Sequence, residues 1–252
     1  MIREALGLQM KDVSALLFDK DGTLLDFYRT WIPINRKMAL DAAGGDHVLG
    51  AEVLRGAGHD PDTDVVTPGT VLAGGGVESI AANFAETLKH RAPDNLIDII
   101  AENFRDGGAE HAYLIDGALE QMRALNESGY RLGIATNDTV EGLDASLKKF
   151  GGLLDIFEFK AGCDSGHGAK PGPGMGLAFA AAMGLAPSSC AIIGDSIHDL
   201  EMGKSAGFGL RIGVLTGPAR RQDLEPHADV VIDSILELGS IFRGRTAECG
   251  AV

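Results

Sequence analysis

The chain has 252 residues, 45% hydrophobic and 23% charged, with a formal net charge of −14. Such a length and balance suit a globular protein with one large domain, or a core domain carrying a smaller insert. The acidic surplus argues against nucleic acid or an anionic membrane as the main partner, since both are polyanions. A small phosphorylated molecule stays open, because a local lysine and a metal ion outweigh the global field at short range.

Three cysteines, Cys163, Cys190 and Cys249, form neither an even disulfide set nor a metal-ligand spacing. That is the usage of a reduced, intracellular protein, with Cys190 read as a buried thiol. Residues 1–11 carry charges and no continuous apolar run, so no signal peptide is apparent and the cytoplasm is the expected location. The apolar-rich stretch 174–186 is too short for a membrane span.

In chain order, residues 15–18 (ALLF) predict a buried strand. Asp19-Lys20-Asp21-Gly22-Thr23 follows, so two carboxylates one residue apart arrive at the strand's C-terminal end, where ligands bind in open α/β sheets. Ionising both acids needs a cation or a shared proton. A bound Mg²⁺ would meet that need, leaving one acid to attack and the other to carry a proton. The alternative is an acidic turn built on ordinary Asp-Gly chemistry. Residues 27–106 show little strand signal. Helices are predicted over 29–42, 79–90 and 96–104, with Gly44-Gly45 and Gly74-Gly75-Gly76 as loops or hinges. A helical insert at this point sits over the sheet's C-terminal edge, the position of a lid.

From 107 on, strand and helix patterns alternate. Helices are predicted over 117–128, 139–150, 174–183, 197–206 and 234–242, and strands over 131–136, 157–161, 190–194, 210–215 and 230–232. This alternation implies a Rossmann-like parallel sheet covered on both faces, α/β in class. Residues from 243 on look frayed.

Three further signals lie past strand ends or on loops entering helices. Thr136-Asn137-Asp138 offers a hydroxyl and a backbone N–H to a phosphate oxygen, or an N-cap from Asn137 or Asp138. Lys170, fixed before Pro171, presents a cation from a rigid loop, or is a solvated lysine before a Pro-started helix. Gly194-Asp195-Ser196-Ile197-His198-Asp199 places acids one helical turn apart on one face, hard ligands for Mg²⁺, or caps a helix with Asp195 or Ser196. All four signals would converge at one edge of one sheet.

The set, in this order, resembles the haloacid dehalogenase superfamily over about residues 10–26 and 107–235. GCDSGHGAKPGP and GDSIHDLEMGKSAGFGLRIGV resemble its phosphoglycolate phosphatase-like branch, which carries a helical cap after the first motif. The resemblance implies a core of residues 1–26 and 107–252 and a cap of 27–106. It implies Mg²⁺-dependent hydrolysis of a small phosphomonoester, with Asp19 as nucleophile forming an aspartyl-phosphate. Asp21 would be the general acid and base and Lys170 a catalytic cation. Mg²⁺ would be held by the Asp19 carboxylate, the Asp21 backbone carbonyl and Asp195, with Asp199 completing or orienting the shell. Thr136, Asn137 and Lys170 would bind phosphate, with Gly22 permitting close backbone approach.

Lys20 stands where that branch is commonly apolar, and it is expected to point to solvent. His198 is expected on a helix surface. Asp21 favours ester hydrolysis over dehalogenation, because a halide leaves without a proton. A sugar-phosphate mutase keeps both acids and is the nearest competitor, and a binding protein that retains the fold is a further one. In the cap, Arg29, Trp31, Arg36 and Arg55 are candidates for an anionic substrate tail, or else a core tryptophan and solvated arginines. The cap sequence does not name the substrate, and oligomeric state is not legible.

Overall fold

A computed structural model describes residues 12–242 of the chain. The leader reading of 1–11, Cys249 and the fraying expected from 243 lie outside the described residues.

Six parallel strands form one sheet: β1 (Ala15–Phe18), β2 (Arg131–Ala135), β3 (Phe157–Ala161), β4 (Cys190–Gly194), β5 (Leu210–Val214) and β6 (Val230–Ile232). Their spatial order is β3-β2-β1-β4-β5-β6. The winding reverses between β1 and β4, which opens a crevice at the carboxyl ends of these two strands. Ala15 to Phe18 pair with Arg131 to Ile134 on one side and with Cys190 to Ile193 on the other. Alternation sends Leu16 and Phe18 to one face, packed with Leu132, Ile134 and Ile193, and Ala15 and Leu17 to the other, packed with Phe179 and Ile192. Both faces are buried, as a parallel sheet requires.

Between β1 and β2 lie α1 (Phe27–Ala42), α2 (His47–Gly56), the short α3 (Val71–Gly74), α4 (Val77–Leu88) and α5 (Leu96–His111). They share an apolar cluster of their own, including Ile34, Met38, Val53, Phe84 and Ile100. After them come α6 (Ala118–Glu127), α7 (Val140–Leu147), α8 (Gly174–Ala182), α9 (Ile197–Ala206), α10 (Arg221–Leu224) and α11 (Leu238–Ile241). Among the described residues no helix is long and apolar enough to cross a membrane.

Two helices depart from expectation. α2 is absent from the predicted elements, and Gly50 and Gly56 lower its intrinsic helix propensity. Asp46 caps it, accepting from the Val48 and Leu49 N–H groups at 3.1 Å each. α5, expected to stop at 104, runs on through Gly107 and Gly108. A Cβ on Gly107 would stand 2.8 Å from Ile34 Cγ1, and one on Gly108 would stand 2.7 Å from Ser146 Oγ. The two glycines thus seat α5 against α1 on one side and α7 on the other. The helix expected over 234–242 is a 3-10 turn, Ile235–Glu237, followed by α11.

Candidate active site

Asp19 continues β1, its backbone N–H donating to the Ile193 carbonyl of β4 at 2.9 Å. Its carboxylate faces the crevice. Lys170 Nζ donates to Asp19 Oδ1 at 2.5 Å and to Asp199 Oδ1 at 2.6 Å, so one buried ammonium bridges two buried acids. Burial pushes Asp19 up to about 7 against the pull of Lys170, and pushes Asp195 well above the carboxylate range with Asp19 and Asp199 adding to it. Burial works to lower Lys170, but Asp19 and Asp199 together outweigh it and hold the ammonium charged.

Asp195 directly follows β4, and α9 begins beyond it. Ser196 is the N-cap of α9 in a reciprocal box: Asp199 N–H donates to Ser196 Oγ at 3.3 Å, and Asp199 Oδ2 accepts from Ser196 N–H at 3.1 Å. Ser196 Oγ also donates to Asp199 Oδ2 at 2.6 Å. Asp199 therefore has one oxygen on the cap and the other on Lys170. Oxygen atoms of Asp19, Asp195 and Asp199 all lie within 4.8 Å of one another. Asp195 has no ion-pair partner among the described residues.

Lys20 does not point to solvent. It is 1% exposed, bonded to Asp138 Oδ2 at 2.7 Å and ion-paired with Asp21 Oδ2 at 3.1 Å, with Ser146 Oγ at 3.4 Å. The reason is the period of two: Lys20 continues the Leu16–Phe18 face of β1 into the interior, opposite to Asp19. That signal was present in the sequence. Burial would lower this lysine, but Asp138 and Asp21 reverse the direction. Asp138 is consequently not a helix cap. Thr139 caps α7, accepting from the Gly142 N–H at 3.0 Å.

Asp21 is held from two sides. Its Oδ1 accepts from the Trp31 indole N–H at 2.8 Å, and its Oδ2 meets Lys20. Burial raises its pKa while Lys20 and Trp31 oppose the rise. Trp31 belongs to the cap's apolar cluster, edge-on to Phe104 at 4.7 Å, and also reaches the core acid.

Thr136 lies at the end of β2, buried, and its Oγ1 accepts from the Asp138 N–H at 3.1 Å. The Asn137 carboxamide is engaged with its neighbours: Oδ1 accepts from Lys170 N–H at 2.8 Å, and Nδ2 donates to the carbonyls of Lys170 and Gly74 at 3.3 Å each. It fastens the Lys170 loop to the cap. Gly22 has φ +79°, and the room it leaves is filled by the Asp195 carboxylate and by Gly217, whose Cα would stand 3.0 Å from an added Cβ. Its missing side chain makes space for an acid rather than lining the cavity.

Asp19, Asp21, Thr136, Asn137, Lys170, Asp195 and Asp199 line one cavity, closed over by α1, α3, α4 and α5. His198 is half-buried and lines the same cavity. The cap arginines do not. Arg36 pairs with Asp64, Arg55 with Asp62, and Arg29 lies over the Tyr113 ring.

A sequence model of haloacid dehalogenase-like hydrolases matches residues 13–207. The chain is 27% identical over 243 residues to N-acetylmuramic acid 6-phosphate phosphatase of Pseudomonas aeruginosa, covering 94% of this chain and 98% of that protein. It is 32% identical over 169 residues to phosphoglycolate phosphatase of Nitrosococcus oceani, covering 66% and 72% of the two chains. A crystal structure from Haemophilus somnus, described as a predicted phosphoglycolate phosphatase, superimposes with a TM-score of 0.68 at 21% identity, covering 92% of this chain and 99% of that one. The chain belongs to the haloacid dehalogenase-like hydrolases.

Proposed function

We propose that this phosphatase hydrolyses a small phosphomonoester in two steps through a phosphorylated Asp19, with residues 27–106 as a cap closing over the site. The observation that carries the reading is the juxtaposition of Asp19, Asp21 and Lys170 in one cavity at the switch point of the sheet. Asp19 attacks phosphorus in line, forming the Oδ–P bond as the ester P–O bond breaks. Asp21 gives its proton to the departing alcohol oxygen. The negative charge then left on Asp21 meets Lys20 and the Trp31 indole, which stabilise it. Asp21 next takes a proton from the water that cleaves the aspartyl-phosphate. Lys170 orients Asp19 and neutralises phosphate oxygens. Thr136 and the backbone N–H of Asn137 are assigned to the same oxygens.

The donor set fits Mg²⁺. Three buried carboxylates face one lysine, and Asp195 is unpaired, so buried negative charge is left for a hard cation. Asp19 and Asp195 would hold it with the Asp21 carbonyl, and Asp199, with both oxygens engaged, would orient Lys170 beside it. When bound, the ion would neutralise these acids and draw charge from the phosphoryl oxygens.

The full-length phosphatase relative from P. aeruginosa supports a small phosphorylated metabolite as substrate. Reduced cysteine usage supports the cytoplasm as the compartment.

The test is phosphate release from a panel of small phosphomonoesters with Mg²⁺, with EDTA, and with Asp19→Asn. Release that needs Mg²⁺ and disappears in Asp19→Asn is expected. No release from any ester by folded, metal-loaded protein overturns the reading, and an isomerised sugar phosphate without free phosphate assigns a mutase.

A further inference from the structure

Asn35 lies on α1 one helical turn after Trp31, so the two side chains share a face. It lines the catalytic cavity, is 1% exposed, and neither its Nδ2 nor its Oδ1 has a hydrogen-bond partner. Native proteins leave few buried polar groups unsatisfied, since each costs about 1–3 kcal/mol. The rest of the cap's share of the wall is apolar: Phe27, Trp31, Leu72, Ile80 and Phe104 among it. Among the described residues no lysine or arginine of the cap lines the cavity, whereas the core contributes five aspartates and Lys170.

Resting on the phosphomonoesterase reading, we infer that the leaving group carries no negative charge and bears a hydroxyl on its second or third carbon, read by Asn35.

The placement follows from Asp21. The ester oxygen must stand beside this acid, and Trp31 bonds the same carboxylate. From Trp31 to Asn35 is one turn of helix, about 5.4 Å, the reach of a three-carbon chain. A hydroxyl both donates and accepts, so it satisfies either atom of the carboxamide. A tail carboxylate accepts only. It leaves Oδ1 facing negative charge and adds an anion to a wall whose lysine is already committed to two acids. A bare alkyl tail leaves the carboxamide unpaired. A site with a buried polar group awaiting a partner discriminates strongly against an analogue that lacks it.

The experiment measures kcat/KM of the Mg²⁺-loaded full chain on four esters. Glycerol 3-phosphate and 3-phosphoglycerate share a carbon skeleton and differ in a terminal CH₂OH against a carboxylate. Propyl phosphate lacks hydroxyls and phosphoethanolamine ends in a cation. Glycerol 3-phosphate is expected to exceed each of the others at least about tenfold, a difference of about 1.4 kcal/mol. In Asn35→Leu the ratio of glycerol 3-phosphate to propyl phosphate should fall about tenfold. Its thermal midpoint should be kept or raised, because an unsatisfied amide gives way to an apolar group of similar volume. Preference for 3-phosphoglycerate or phosphoethanolamine, or an unchanged ratio in folded Asn35→Leu, overturns the inference while leaving the phosphatase reading intact. If the variant does not fold, the wild-type ratios decide alone. Turnover of none of the four esters by protein that releases phosphate from another ester overturns the inference alone, and no release by the wild type from any ester of the wider panel removes the phosphatase reading and this one with it.

Discussion

The sheet end and the cap wall the same cavity with opposite chemistry. At the sheet end four of the five aspartates on the wall have a lysine partner: Lys170 stands between Asp19 and Asp199, and Lys20 between Asp21 and Asp138. The cap keeps its ion pairs outside, Arg36 with Asp64, Arg55 with Asp62 and Arg91 with Asp46. Inside it offers apolar side chains, one indole N–H and one idle carboxamide. A network of buried charges is stiff, because moving one member strands another. An apolar wall with a single polar group tolerates change while selecting by shape and by one hydrogen bond. On the proposed function, bond-breaking falls to the sheet end and selection to the cap.

The largest break in that comparison is expected at Lys170. Lys170→Met should lower kcat/KM by about a thousandfold, because it removes the cation bonded to Asp19, the proposed nucleophile. Arg36→Ala and Arg55→Ala, which remove cap charges of the same sign, should change it less than about twofold, as exposed ion pairs contribute little. Steady-state phosphate release on one ester checks all three, and a large loss at either arginine would put an anionic tail back in the cap.

Second in size is Lys20→Met, which leaves Asp138 buried with its ion partner gone and is expected to cost about 3–5 kcal/mol in urea unfolding. Adding Asp138→Asn should restore part of the loss, giving a non-additive cycle. An additive cycle would mean the two side chains do not act as a pair.

Lys20 also shows how much of the molecule was legible in the sequence. The parallel sheet, the placing of Asp19 and Asp195 at strand ends, and the Lys170 loop follow from apolar runs and punctuation, because each of these signals is local. Lys20 was legible too, by counting two residues on from Phe18, but a charged side chain was read as a solvated one. The cap was less legible for a different reason. Its glycines at 107 and 108 look like breaks locally and become contacts only when a neighbouring helix arrives. Trp31 and Asn35 lie on a helical stripe that serves a core as well as a cavity, and nothing in one sequence separates the two uses. The Arg29, Arg36 and Arg55 side chains depend on partners elsewhere in the structure.

The third effect falls on Trp31, the one tryptophan of the chain. Trp31→Phe keeps an aromatic ring against Phe104 and removes the donor to Asp21. A hydrogen bond to a charged group is worth about 1.5–3 kcal/mol, so kcat should fall about tenfold or more with KM little changed. A rise in KM at constant kcat would instead make Trp31 part of the substrate wall alone.

The smallest effects separate the two regions within one helix. Gly107 of α5 meets Ile34 of the cap, next in sequence to Asn35, while its neighbour Gly108 meets Ser146 of α7, whose hydroxyl lies 3.4 Å from Lys20 Nζ. Alanine at either position gains about 1 kcal/mol of helix propensity and overpacks its neighbour at a cost of about 1–3 kcal/mol. Each single variant should therefore lose about 1 kcal/mol net, read as a small drop in the urea midpoint. Their kinetics should diverge. Gly107→Ala displaces the cap side of the cavity and should raise KM with kcat held, because substrate binding is uniformly weakened. Gly108→Ala crowds Ser146, which touches Lys20, and should lower kcat with KM held, since Lys20 stabilises the charge that grows on Asp21 as the alcohol leaves. The same kinetic signature from both variants would mean that α5 transmits strain across its whole width, and that cap and sheet end are one mechanical unit rather than two.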